Sequence, residues 1–179
     1  IQIKELDFLE TCFQVYLDTI SNYSVKNASR ISCVSRFLKD QLKFAYQSKT
    51  EVIYNCFDPV SLRIPSAFID IRKKHHVNPQ TKIILSLGRI AYIKGFQEII
   101  LLIPKFIQRG IDVKYLIAGE DEGYKKTLTK LISKLKLQKY IGFIGFLDDQ
   151  YLKQADFIAV PSVIEGFGLV ALEAAALNK

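Results

Sequence analysis

Pro161-Ser-Val-Ile-Glu165-Gly-Phe-Gly168-Leu-Val-Ala-Leu-Glu173-Ala-Ala-Ala-Leu-Asn-Lys179 is the stretch on which the fold of this chain turns. Two carboxylates, Glu165 and Glu173, stand on either side of the turn Gly166-Phe167-Gly168. From Leu169 to Leu177, Glu173 is the one polar side chain. The apolar run from Phe157 to Val160 precedes it, so the pattern predicts a strand, a turn, and a buried helix starting near Gly168. Such a helix start offers free backbone N–H groups and a partial positive charge, and glycines let an anion approach them closely. At about 100° per residue, Leu169, Leu172, Glu173 and Ala176 fall on one side, predicted to face inward. A buried carboxylate needs a partner. A backbone N–H or an Arg would serve, and so would a ligand hydroxyl.

Working back from this stretch, strands and helices alternate. Ile83 to Leu87 reads as a buried strand ending at Gly88-Arg89, and Gly95 to Arg109 as a helix with Phe96, Ile99, Ile100, Ile103 and Phe106 inward. Pro104 should kink that helix or remove one of its hydrogen bonds, and Gly110 should end it. Val113 to Ala118 is the next strand, stopping at Gly119. Tyr124 to Leu137 is a helix with Leu128, Leu131, Ile132 and Leu135 inward, Tyr140 to Phe146 is a strand, and Asp148 or Asp149 opens a short helix. Near-continuous apolar strands alternating with helices imply an α/β, Rossmann-like parallel sheet flanked by helices, whose ligands bind beyond the carboxyl ends of the strands.

The first part of the chain is less regular. Residues 3 to 20 carry apolar side chains at helical spacing, and 22 to 29 read as a polar loop. Arg30 to Val34 is a short strand, Ser35 an N-cap for a helix carrying Phe37, Leu38, Leu42 and Ala45, and Glu51 to Tyr54 a second short strand. The stretch from Asn55 to Thr81 reads as a linker with one short helix around Ala67 to Lys74. The adjacent His75 and His76 do not share a helix face, so they point to a surface turn rather than a metal pair.

The 179 residues are 49% hydrophobic and 24% charged, which excludes a disordered chain. The net charge of +7 suits an anionic partner: a phosphate ester, an acidic membrane surface or nucleic acid. Dispersed lysines on a solvated surface account for it equally. Aromatic residues are not interleaved with a basic patch, which counts against nucleic acid. Cys12, Cys33 and Cys56 lack metal-ligand spacing and read as free thiols in a reducing compartment. No apolar run approaches a membrane span. A cytoplasmic protein is the simplest expectation, with peripheral contact to the inner membrane face left open. The absence of Met and of a closing strand after the last helix leads us to expect an internal fragment of a longer protein.

Two further residues bear on chemistry. Arg89 and Lys94, bracketed by Gly88 and Gly95, put two cations at a strand's carboxyl end. A planar fork of donors and a point charge suit a diphosphate. Glu120-Asp121-Glu122 lacks the residue types of a D-x-D metal cluster and is expected to cap the following helix.

The ordered motifs resemble the retaining glycosyltransferases of family 4, of the GT-B fold. E-x7-E is present as Glu165 to Glu173 after Pro161-Ser162, and GR-x4-KG as Gly88 to Gly95. Val34-Ser35, Val52-Ile53-Tyr54-Asn55, Leu116-Ile117-Ala118-Gly119 and Ile144-Gly145-Phe146 follow the same order, so the resemblance covers roughly residues 30 to 179. It implies a catalytic set of Glu165, Arg89 and Lys94. Arg89 and Lys94 would grip the diphosphate of a nucleotide sugar, and Glu173 the ribose hydroxyls. Glu165 and the N–H groups of Gly166, Phe167, Gly168 and Leu169 would hold the donor sugar and nearby phosphate. Gly88, Gly119, Gly145 and Phe146 would line the nucleotide. It further implies transfer of a hexosyl unit to a glycan, lipid-linked or small-molecule acceptor, with retention and with neither metal nor cofactor. Polysaccharide biosynthesis is among the usual settings.

The same resemblance divides the chain into the end of an N-terminal acceptor domain (1–54), a linker (55–81) and a truncated donor-binding domain (82–179). A fragment so divided is expected to be inactive alone. Cys56, where the family has Gly, implies a changed loop, and Asn178, where Gly normally ends the last helix, still tolerates left-handed geometry. A nucleotide-sugar epimerase of the same fold and a non-catalytic sugar-nucleotide-binding scaffold are the alternatives.

Overall fold

The computed structural model describes residues 21–56, 70–145 and 150–179. The chain divides into two units, Ile1–Asn55 and Cys56–Lys179. The expected helix at 3–20, Cys12, residues 57–69 of the expected linker, Phe146 and the Asp148–Asp149 cap lie outside the described residues.

In the first unit, residues 21–27 form a helix, α1, where polarity alone suggests a loop. Its end is secured by Lys49, whose Nζ donates to the carbonyls of Lys26 (2.9 Å) and Ala28 (2.8 Å). A cation at a helix C-terminus satisfies carbonyls that have no partner within the helix. Strand β1 (Ile31–Cys33) runs parallel to β2 (Thr50–Val52), with Ile31 beside Thr50. Between them the expected single helix is two, α2 (Arg36–Gln41) and α3 (Phe44–Gln47). Ser35 caps α2 as predicted, accepting from the Leu38 N–H at 3.2 Å. The chain then turns extended at Leu42, and the Gln47 amide donates to the Leu42 carbonyl at 2.9 Å, replacing a helical bond. Phe37 and Ala45 are exposed.

The second unit is built on an all-parallel sheet of β3 (Lys82–Leu87), β4 (Val113–Ala118), β5 (Ile141–Gly145) and β6 (Phe157–Ile158), in the order β5-β4-β3-β6. The period-two alternation of its strands feeds two cores, one on each face. Ile84, Tyr115, Ile117 and Ile141 pack with Ile100 and Ile103 of α5 (Phe96–Gln108) and Leu128 and Ile132 of α6 (Lys125–Lys134). On the other face Ile83, Leu85, Leu116 and Ala118 pack with Ile71 of α4 (Ile71–Lys74) and Tyr151 and Leu152 of α7 (Gln150–Gln154). Each fully buried Ile or Leu contributes about 1.5–3 kcal/mol. Helix α5 runs unbroken through Pro104, whose missing N–H leaves one bond unmade.

β6 is shorter than the expected Phe157 to Val160. Beyond it the Ala159 N–H reaches the Leu85 carbonyl (2.8 Å), and the Ser86 hydroxyl takes over as donor to the Ala159 carbonyl at 2.7 Å. Buried Ser86 also accepts from Tyr115 at 3.0 Å. Residues 70–81, expected as linker, are fastened to this unit. Ile71 is fully buried, Asp70 caps α4, and Arg72 donates to the carbonyls of Asn78 (2.9 Å) and Thr81 (2.8 Å). Asp156 completes the fastening by accepting from Arg72 (2.8 Å), Lys82 (3.3 Å) and the Ile83 N–H (2.8 Å). No helix among the described residues is long and apolar enough to cross a membrane.

Candidate functional site

The carboxyl ends of β3, β4 and β5 each close on a glycine with positive φ: Gly88 (146°), Gly119 (149°) and Gly145 (74°). Backbone bonds tie these ends into one row. The Gly88 N–H donates to the Ala118 carbonyl at 3.0 Å, and the Gly119 N–H to the Gly145 carbonyl at 2.8 Å. A side chain at Gly119 would collide with the Gly88 carbonyl, so here glycine is a packing requirement as well as a conformational one. Past the glycines the two loops stay zipped, with the Ile90 N–H on the Glu120 carbonyl (2.7 Å) and the Glu122 N–H on the Ile90 carbonyl (3.2 Å).

The loop after β3 continues through a 3-10 turn, Tyr92–Lys94, to Gly95 at φ 67°, which opens α5. Gly95 lies directly against the Pro161 carbonyl, leaving no room for a Cβ. The Val163 N–H donates to the Ile93 carbonyl at 2.9 Å. These contacts join the motif at 88–95 to the stretch at 161–168, seventy residues further along. Their junction brings Lys94 Nζ to 3.0 Å from Glu165 Oε2, both side chains being half-buried. Burial opposes the charge on Glu165, but hydrogen bonds from Lys94 and Ser162 and the Lys94 charge outweigh it. They hold the carboxyl below the usual carboxylate range.

Gly168, at φ 86° and ψ 46°, opens α8 (Leu169–Ala176) as expected, with no side-chain cap on the helix start. The buried face of α8 differs from the expected one. Ala174 is buried and Leu177 packs on a core cluster, whereas Leu169, Leu172 and Ala176 are exposed. A helix apolar on every side gives periodicity nothing to discriminate. Glu173 lies beside the buried face, half-buried and engaged by a neighbour.

Gly88, Arg89, Lys94, Gly119, Gly145, Glu165, Gly166, Phe167, Gly168, Leu169 and Glu173 all fall in the second unit, on strand-end loops or on α8. Phe146 is outside the described residues. Arg89 Nη1 lies 2.7 Å from Glu122 Oε1. Only Asp121 of the acidic triplet serves α6, accepting from the N–H groups of Gly123 and Lys125, both at 3.0 Å. The pairing of Glu122 with Arg89 and the edge-on stack of Tyr92 on Tyr124 (5.7 Å between centroids) are features that the motifs do not announce. Among the described residues, no group of three or more His, Cys, Asp and Glu could hold a metal ion.

Residues 68–179 match the family model described as glycosyl transferases group 1. The chain belongs to this family. This group 1 chain is 32% identical over 163 residues to the uncharacterized glycosyltransferase MJ1607 of Methanocaldococcus jannaschii, covering 86% of this chain and 41% of the relative. It is 33% identical over 132 residues to the N-acetylgalactosamine-N,N'-diacetylbacillosaminyl-diphospho-undecaprenol 4-alpha-N-acetylgalactosaminyltransferase of Campylobacter jejuni, covering 73% of this chain and 33% of that one. Among solved structures, HepE of Anabaena in complex with UDP and glucose superposes with a TM-score of 0.74 at 25% identity, over 93% of this chain and 47% of its own. The chain therefore spans less than half the length of these relatives. GT-B glycosyltransferases are its structural neighbours, and its α/β, Rossmann-like class is theirs. The group 1 match encloses the whole candidate site, from Gly88 to Glu173.

Proposed function

We propose that this chain supplies the donor side of a family 4 glycosyltransferase. It moves a hexosyl unit from a nucleoside diphosphate sugar to a hydroxyl acceptor, with retention and without a metal. The observation that carries this reading is the Lys94–Glu165 pair, 3.0 Å apart beside the Gly-Phe-Gly start of α8. A cation, a carboxylate and a helix start with no side-chain cap converge there at the carboxyl edge of a parallel sheet.

The chemistry follows from charge. As the bond between sugar and diphosphate breaks, the leaving diphosphate gathers negative charge. Lys94, Arg89 and the N–H groups at the head of α8 stabilise that charge from fixed positions. Glu165, held ionised by Lys94 and Ser162, accepts from donor-sugar hydroxyls, and Glu173 from the ribose. The acceptor hydroxyl attacks from the leaving-group side and passes its proton to a phosphate oxygen, so no enzyme nucleophile is assigned. The complex of HepE with UDP-glucose supports a sugar nucleotide as ligand. The lipid-linked substrate in the name of the Campylobacter relative supports a lipid-linked acceptor.

Calorimetry on the full-length polypeptide with UDP, GDP, ADP and CMP, beside an Arg89→Ala, Lys94→Ala double variant, tests the reading. We expect one diphosphate to bind in the range of about 1–100 μM, and the variant to lose at least about tenfold, 1.4 kcal/mol. Absence of binding to any of them, or equal binding by the variant, overturns the assignment and favours a scaffold.

A further inference from the structure

Arg89 is already paired in this structure, and its partner is not one of the motif carboxylates. We infer that Glu122 is a resident counter-ion for Arg89, which a nucleoside diphosphate displaces on binding and which recaptures the guanidinium as the diphosphate leaves. This rests on the reading of Arg89 as a diphosphate ligand.

The pairing is built into the backbone. Arg89 follows β3 and Glu122 follows β4, and the intervening Ile90 is bonded to the β4 loop on both sides, through the Glu120 carbonyl at 2.7 Å and the Glu122 N–H at 3.2 Å. The close approach of Gly119 to Gly88 and the edge-on Tyr92–Tyr124 stack fix the same two loops. Glu122 is therefore held opposite Arg89 by main-chain register. Of the two acidic residues beside it, Asp121 commits its carboxylate to the start of α6.

The pair is also displaceable. The Arg89 side chain is 66% exposed and that of Glu122 41%, so water screens the attraction and the pair is weak. A diphosphate carries more charge than a carboxylate and offers more acceptors to the guanidinium fork. Exchange of one anion for the other keeps Arg89 neutralised in both states. Glu122 is a positioning residue in this scheme: it sets how tightly the diphosphate is held and how fast it departs, and it does not touch the donor.

The test is a double-mutant cycle in the full-length polypeptide, with UDP, GDP and ADP titrated into wild type, Glu122→Gln, Arg89→Ala and the double variant, and dissociation followed by stopped flow. Thermal melts of each variant confirm folding. We expect Glu122→Gln to tighten diphosphate binding about two- to fivefold, the span of an exposed pair, chiefly through slower dissociation, and to have no effect in the Arg89→Ala background. If Arg89→Ala weakens binding while Glu122→Gln leaves it unchanged, weakens it, or tightens it equally without Arg89, the counter-ion role is overturned and the diphosphate site stands. If Arg89→Ala changes nothing, the reading of Arg89 fails and the inference with it.

Discussion

Gly95 shows how much of the site rests on single atoms. Its φ of 67° disfavours any side chain, and the Pro161 carbonyl occupies the space a Cβ would need. Gly95→Ala combines left-handed strain with a backbone collision. It should cost about 2–4 kcal/mol in denaturant unfolding. Gly110, also at positive φ (71°) but with nothing near its Cβ, is the control, and Gly110→Ala should cost only about 1 kcal/mol. Residue types at this scale are readable from the sequence: Gly95, Lys94 and Glu165 stand out as motif members, and Gly110 as the residue that ends a helix. The pairing of Lys94 with Glu165 was not read, because it depends on which strand lies next to β3. The partner of Arg89 was harder still. Glu122 sits in a run of three acids, and only the register between two loops selects it.

At the scale of elements, strands β3 and β4 are plain in the sequence because a strand covered on both faces is nearly continuously apolar. Uniform apolarity marks helix α8 in the sequence and hides which face it buries. Helix α1 leaves no apolar periodicity, because its polar residues are stabilised from outside, by Lys49 on the carbonyls at its end. The fastening of α4 was equally hidden, because Asp156, its anchor, lies more than eighty residues away. Burial disfavours the charge on Asp156, yet the Ile83 N–H, Lys82 and Arg72 outweigh it and hold its pKa below the ordinary value. A group depressed in the folded state stabilises fully above its unfolded pKa, about 4, and loses that contribution as pH falls through the folded value. Asp156→Asn should therefore cost about 1–2 kcal/mol at pH 7, and its penalty should shrink toward zero on acidification, as measured by urea midpoints against pH.

For the molecule as a whole, the net charge of +7 acquires a specific meaning once the site is placed. The proposed ligand is a polyanion, and Arg89 is mostly exposed, so ionic strength should weaken nucleotide binding. Raising salt from about 50 mM to 500 mM contracts the screening length to a few ångströms. The apparent affinity for the bound diphosphate should fall several-fold, and the slope of that fall should be shallower in the Arg89→Ala, Lys94→Ala variant. Fluorescence or calorimetric titration across that range gives both slopes; equal slopes would mean that the cations of the site are not what the ligand feels.

The contact between Gly95 and the Pro161 carbonyl carries one more implication. Close-packed backbones transmit displacement rather than absorb it. On the proposed donor reading, loops 88–95 and 161–168 would act as the fixed jaws of a gauge, with a phosphate near Lys94 and a sugar near Glu165 measured against one length. A donor with a longer or shorter link between sugar and nucleotide would fill one jaw and miss the other.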